Sequence, residues 1–237
     1  MIVAERKPLG EIKGFIERFG RVLIVGCGTC ATVCLAGGES EVRTVGSALR
    51  IAALHEERTQ EVLEDCATRQ CDPEFVEAII ERVQRQDADA VVSLACGVGV
   101  NFLAERLGDV PVFPGLDTKF FGASPEPGVW MEMCAGCGKC MLHLTGGICP
   151  IARCSKSILN GPCGGSSGGK CEISPDVECG WALIIERMRR LGTLEQLEQI
   201  IPPRDWSTSR HGGPRRIVRE DLRVAATATQ GQSVGVS

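Results

Sequence analysis

The sequence predicts an α/β protein in two parts: an N-terminal parallel-sheet α/β domain, then a metal-organised cysteine-rich domain with C-terminal helices. Three observations carry this reading. Short apolar runs alternate with stretches of helical periodicity up to residue 113, the pattern of parallel strands joined by right-handed crossovers. A glycine- and proline-rich stretch at 115–128 interrupts that pattern. Beyond it, residues 130–180 hold eight of the chain's 14 cysteines and few apolar side chains, too few for an ordinary core without a metal.

Ile12, Phe15, Ile16 and Phe19 fall at helical spacing and predict an amphipathic opening helix. Residues 21–25 read as the first strand, and Val42, Val45, Leu49 and Ala52 mark the helix that follows. Residues 62–69 read as a second, weaker strand. Asp72 and Pro73 then have the form of an N-cap and first helical residue, ahead of a buried stripe of Val76, Ile79, Ile80 and Val83. Residues 90–95 give a third strand. Val100, Leu103 and Leu107 line the next helix, Gly108 caps it, and residues 110–113 give a fourth strand. The domain boundary is placed at 120. Within 121–206, Trp181, Ile184, Ile185 and Met188 share one helix face that ends at Gly192, and Thr193 with Gln196 reads as a capping box for a last short helix. Residues 207–237 read as an extended or disordered tail.

The net charge of −4 argues against a nucleic-acid or anionic-membrane binder, which needs a basic face. No apolar run approaches the ~18 residues that span a bilayer, and Met1 to Lys7 lacks the apolar segment of a signal peptide. A cytoplasmic location is therefore expected. Cytosolic thiols stay reduced, which points the cysteines toward metal and away from disulfides. With three histidines in the chain, the sites must be mostly thiolate.

Cys27, Cys30 and Cys34 lie in a glycine-containing turn directly after the first strand. Cys71 and Cys96 fall where the second and third strands should end, each just ahead of a helix. Parallel strands bring such ends to one edge, the edge where ligands bind, and helix N-termini favour thiolate there. Cys66 lies inside a strand and reads as a buried thiol with no metal role. Gly26-x-Gly28-x-x-Ala31 also matches a dinucleotide fingerprint, but three thiolates in that turn would repel a pyrophosphate. The Cys-x2-Cys-x3-Cys spacing reverses the one used by adenosylmethionine radical enzymes, so that reading is set aside.

Cys134, Cys137 and Cys140 form a Cys-x2-Cys-x2-Cys run, and Cys149-Pro150 follows. This spacing wraps three corners of a cubane cluster, with a remote cysteine followed by proline as the fourth ligand. Cys154, Cys163, Cys171 and Cys179 remain, enough for a further cluster or a tetrahedral zinc. Two or more [4Fe-4S] clusters are expected, with zinc as the alternative occupant of a cysteine site. Gly164-x4-Gly169-Lys170 resembles a phosphate-binding loop, but Cys171 replaces the hydroxyl residue that would reach magnesium. His143 reads as a solvated side chain, and Lys139 and Lys170 as surface charges.

Gly26-Cys27-Gly28-Thr29-Cys30, Arg69-Gln70-Cys71-Asp72 and Ala95-Cys96-Gly97-Val98-Gly99-Val100 occur here together with Gly146-Gly147-Ile148-Cys149-Pro150, Asn160-Gly161-Pro162-Cys163-Gly164-Gly165 and Lys170-Cys171-Glu172. In this the chain resembles the small cysteine-rich partner subunit, or C-terminal domain, of bacterial methylenetetrahydrofolate reductase, over roughly residues 12–206. The resemblance implies a non-catalytic redox subunit. Its clusters would pass electrons to a flavin-containing reductase subunit that reduces methylenetetrahydrofolate to methyltetrahydrofolate in one-carbon metabolism. Further electron-donor subunits fit the same scheme. A zinc-bound scaffold of the same reductase is the alternative, and a free-standing thiolate or nucleotide enzyme a third class.

Overall fold

The computed structural model describes residues 1–223. The chain opens with a strand, β1 (Ile2–Arg6), and helix α1 (Leu9–Ile16). Strand β2 (Arg21–Cys27) leads into a single helical turn, α2 (Cys30–Val33), and a long helix, α3 (Glu39–His55). Then β3 (Glu61–Ala67), α4 (Pro73–Arg85), β4 (Ala90–Leu94), α5 (Gly97–Leu107) and β5 (Val112–Pro114) alternate as expected. Four strands form a parallel sheet in the order β3-β2-β4-β5. Val25 pairs with Asp65 on one side and Ser93 on the other.

Alternation along β2 divides the core. Val22 and Ile24 pack with Ile12 and Ile16 of α1 and Val42, Val45 and Leu49 of α3. Leu23 and Val25 face the other way, onto Val76, Ile79 and Val83 of α4 and Leu103 of α5. Helices thus cover both faces, which is why β2 and β4 read as continuous apolar runs. Asp72 caps α4 as expected, accepting the Glu74 amide at 3.2 Å ahead of Pro73.

The glycine- and proline-rich stretch read as a boundary forms β6 (Leu116–Glu126), which turns at Gly128 into β7 (Val129–Cys134). β6 also pairs antiparallel with β1, Arg6 opposite Leu116, in a second sheet of order β1-β6-β7. Glycine and proline counts could not reveal a strand whose partner lies over 100 residues earlier. Later come a four-residue helix, α6 (Pro150–Arg153), a hairpin of β8 (Lys170–Cys171) and β9 (Ser174–Glu178), and α7 (Gly180–Leu191). Trp181, Ile184 and Met188 of α7 are buried, and Gly192 ends it in the left-handed region at φ +68°. Thr193 makes no side-chain cap, and residues 194–198 form a 3-10 turn instead of a capped helix.

Packing divides the chain into two compact units. Among the described residues, one contains Met1–Gly136 and Met141–Ile201; the other contains Cys137–Cys140 and residues 202–223. Of the segment read as a tail, residues 210–212 and 220–222 form 3-10 turns, and residues 224–237 lie outside the described residues.

Candidate metal centre

The sheet order makes β2 the pivot: the chain leaves it for β3 on one side and then crosses to β4 on the other. Ligands gather at the strand C-terminal ends at such a switch point. Cys27 is the last residue of β2, Cys30 begins α2, and Cys34 caps it. Cys71 sits between β3 and the N-cap of α4, and Cys96 is the N-cap of α5. All five expected residues thus stand at one edge of the sheet.

Their thiols also feel one another. Burial and the charges of Cys27 and Cys96 push the Cys71 thiol up. Burial does the same to Cys34, with Cys30 and Cys96 adding to it. Cys96 therefore couples to both the Cys34 turn and the Cys71 loop. A cation placed among these groups would relieve the repulsion and favour thiolates. Cys66 is pushed up as well, by burial and then by Cys27, from its place inside β3.

The turn carrying three of these cysteines is tightly built. Thr32 Oγ1 donates to Cys27 O at 2.8 Å, and Cys27 N donates to Gly37 O at 2.8 Å. A side chain at Gly26 would meet Val42 Cγ2 at 2.7 Å and Cys66 Sγ at 2.9 Å. Close packing against Val42 and Cys66 therefore requires glycine there. Gln70, directly before Cys71, is fully buried and bonds across the strand ends. Sequence reasoning missed its role, because nothing in a glutamine beside a cysteine announces burial.

The later cysteines are arranged differently. Cys149 and Cys154 are the N-cap and C-cap of α6. Cys179 is the buried N-cap of α7, and a side chain on the adjoining Gly180 would meet Arg153 O at 2.6 Å. Cys171 Sγ lies 3.6 Å from Ser155 Oγ, next to Cys154. Two of these thiols cap the short helix, Cys171 lies beside Ser155, and Cys163 lies in an exposed loop. Hydrogen bonding at the Ile173 backbone, then the Ser155 hydroxyl, with further help from Lys156, holds the Cys171 thiol below its usual range. Cys134 ends β7 and accepts the Gly136 amide at 3.4 Å. Amide donation onto sulfur favours the thiolate at Cys171. Gly136, at φ +61°, supplies the left-handed turn that aims its amide there.

Cys137 and Cys140 belong to the second unit. There Arg204 Nη2 donates to Cys137 Sγ at 2.9 Å, and Thr208 Oγ1 donates to Cys137 O at 3.3 Å. All fourteen cysteines are free thiols. Among the described residues, no group of three or more His, Cys, Asp or Glu side chains stands in a geometry that would itself hold a metal ion. The donor set nonetheless suits a thiophilic metal. It offers thiols at a sheet edge, helix N-termini behind Cys71 and Cys96, and amides directed at sulfur.

Fold and site together define a mixed α/β protein whose parallel-sheet edge is lined with thiols. Residues 113–207 match a family model described as methylene-tetrahydrofolate reductase C terminal. The match covers less than half of the chain and supports a reductase-related domain in that stretch. No curated protein matches the chain. No helix of the described residues is long and apolar enough to cross a membrane.

Proposed function

We propose that the chain is the iron–sulfur electron-transfer subunit of a methylenetetrahydrofolate reductase complex. The observation that carries this is the gathering of Cys27, Cys30, Cys34, Cys71 and Cys96 at the switch-point edge of the sheet. The family match over residues 113–207 supplies the enzyme system.

In this reading the edge cysteines bind one cluster, and the later cysteines supply ligands for at least one more. Cys154, Cys163, Cys171 and Cys179 provide a further site for a cluster or zinc. Bound clusters supply single-electron transfer. The chain's own work is to hold thiolates in place, through the Thr32 and Arg204 hydrogen bonds and the amide behind Cys134. Reducing a methylene group takes a hydride, so a flavin on the partner subunit stands between this chain and the folate.

Stopped-flow reduction of the partner's flavin tests the proposal. A low-potential donor should reduce the flavin faster when the anaerobically purified chain is present, and mass photometry should show a complex. A flavin reduced equally fast without the chain would overturn the electron-transfer role and favour a scaffold.

A further inference from the structure

We propose that Gln70 is the positioning residue that fixes the mutual placement of Cys27, Cys71 and Cys96. Parallel strands bring the three to one edge, but they do not set the spacing between a strand end, a loop and a helix cap. Gln70 touches all three segments from one buried position.

Its side-chain amide donates to Val25 O at 2.9 Å and to Gly26 O at 2.8 Å, the two residues just before Cys27. Its carbonyl accepts the Ser93 hydroxyl at 2.6 Å. Ser93 Oγ in turn accepts the Ala95 amide at 3.3 Å, directly before Cys96. A side chain at Gly99, in the first turn of α5, would come within 3.0 Å of Gln70 Cβ. That turn therefore rests on Gln70 without intervening atoms. Cys71 is the next residue along the chain.

The chemistry explains why this residue is glutamine. Two backbone carbonyls need two N–H donors, and the serine hydroxyl needs an acceptor; a neutral carboxamide offers both. Glutamate would set a carboxylate against two carbonyl oxygens. Leucine would fill the space and leave Val25 O, Gly26 O and the Ser93 hydroxyl without their buried partner. Since β2 and β4 carry their own ladder up to Gly26 and Leu94, the network is not needed to form the sheet. It acts at the point where the strands end and the cysteines begin.

This inference rests on the reading of the sheet edge as a ligand set, but its test needs no metal. Phenylarsine oxide bridges two thiols within reach of each other. Two S–H bonds break, two As–S bonds form, and the oxygen leaves as water with both protons. Metal-stripped, reduced full-length chain is treated with the reagent, digested, and mapped for linked peptides. Products within the turn, Cys27 with Cys30 or Cys34, serve as an internal control, because that turn is held by Thr32 and Gly37.

Wild type should give products linking Cys71 to Cys27 and to Cys96. Gln70→Leu should form them roughly tenfold or more slowly, the scale of loss from misplacing reacting groups, with the within-turn product unchanged. Ser93→Ala should show a smaller loss in the same products, and it carries the test if Gln70→Leu does not fold. Unchanged Cys71 products in a folded Gln70→Leu chain, or in Ser93→Ala where that variant stands in, would overturn the proposal. A general loss of melting temperature would leave the ratio of the two product classes unmoved, which separates positioning from plain stability. A wild-type protein that binds no iron would sink the cluster reading while leaving this result to stand or fall by itself.

Discussion

Cys27 ends β2 and Cys96 follows β4, two strands with fully buried core residues, and Cys71 lies in the loop after the less buried β3. Cys149 and Cys154 cap a four-residue helix, Cys171 lies beside Ser155, and Cys179 caps α7 above a small cluster around Trp181, Ile184 and Met188. The first group is placed by apolar packing on both faces of a sheet, which needs no metal. The second is placed by turns, caps and hydrogen bonds in a stretch with little apolar area to bury. The same residue type therefore has two relations to folding. In the proposed reading the sheet edge holds its cysteines in place before any metal binds, whereas the later stretch is expected to gain its order from metal binding.

Chelation should separate the two most sharply. Stripping metal from the purified protein should leave amide protection in β2 and β4 while protection across residues 149–179 collapses, read by hydrogen exchange. Equal loss in both regions would break the distinction. Within the first region, Cys30→Ala should lose the N-terminal metal and leave the metal of the later cysteines in place. Cys66→Ala should leave both, since Cys66 lies inside β3. Metal analysis of the two variants decides this, and the opposite pattern would mean that the strand ends are misassigned as the site.

A third difference lies in acidity. In metal-free protein the Cys34 and Cys71 thiols are pushed up, by burial first, and Cys171 is drawn down, by backbone hydrogen bonding at Ile173 first. Alkylation with iodoacetamide should therefore reach Cys171 at lower pH than Cys34 or Cys71, read by peptide mass. For the raised pair, the folded state favours the neutral thiol. Their contribution to stability is whole below the ordinary thiol value of 9.0 and is lost as pH rises through their folded values. Cys171 contributes in the opposite sense, above the ordinary value. The smallest effect concerns the scaffold alone: Asp72→Ala removes the α4 cap and should cost about 1 kcal/mol in urea denaturation, with metal content unchanged.

Much of the first region could be read from the sequence, because its physics is local and periodic. The stripe Val76, Ile79 and Val83 and the Asp72-Pro73 start gave α4, and continuous apolar runs gave β2 and β4. The placement of Cys27, Cys71 and Cys96 followed from topology. What escaped depends on contacts remote in sequence. β1 is a strand because β6 pairs with it, and Ile2-Val3-Ala4 before two charged residues carries little signal of its own. Gln70 is buried because three segments close over it, which no local pattern encodes. The Arg204 contact to Cys137 joins positions 67 residues apart, and no local pattern announces it.

Metal analysis of the anaerobically purified full-length chain tests the central claim most directly, with iron, sulfide and zinc determined alongside the visible spectrum. The two groups of thiols predict a brown protein holding about eight irons, the content of two four-iron cubanes, with a matching amount of acid-labile sulfide. A colourless protein containing zinc alone would contradict the account.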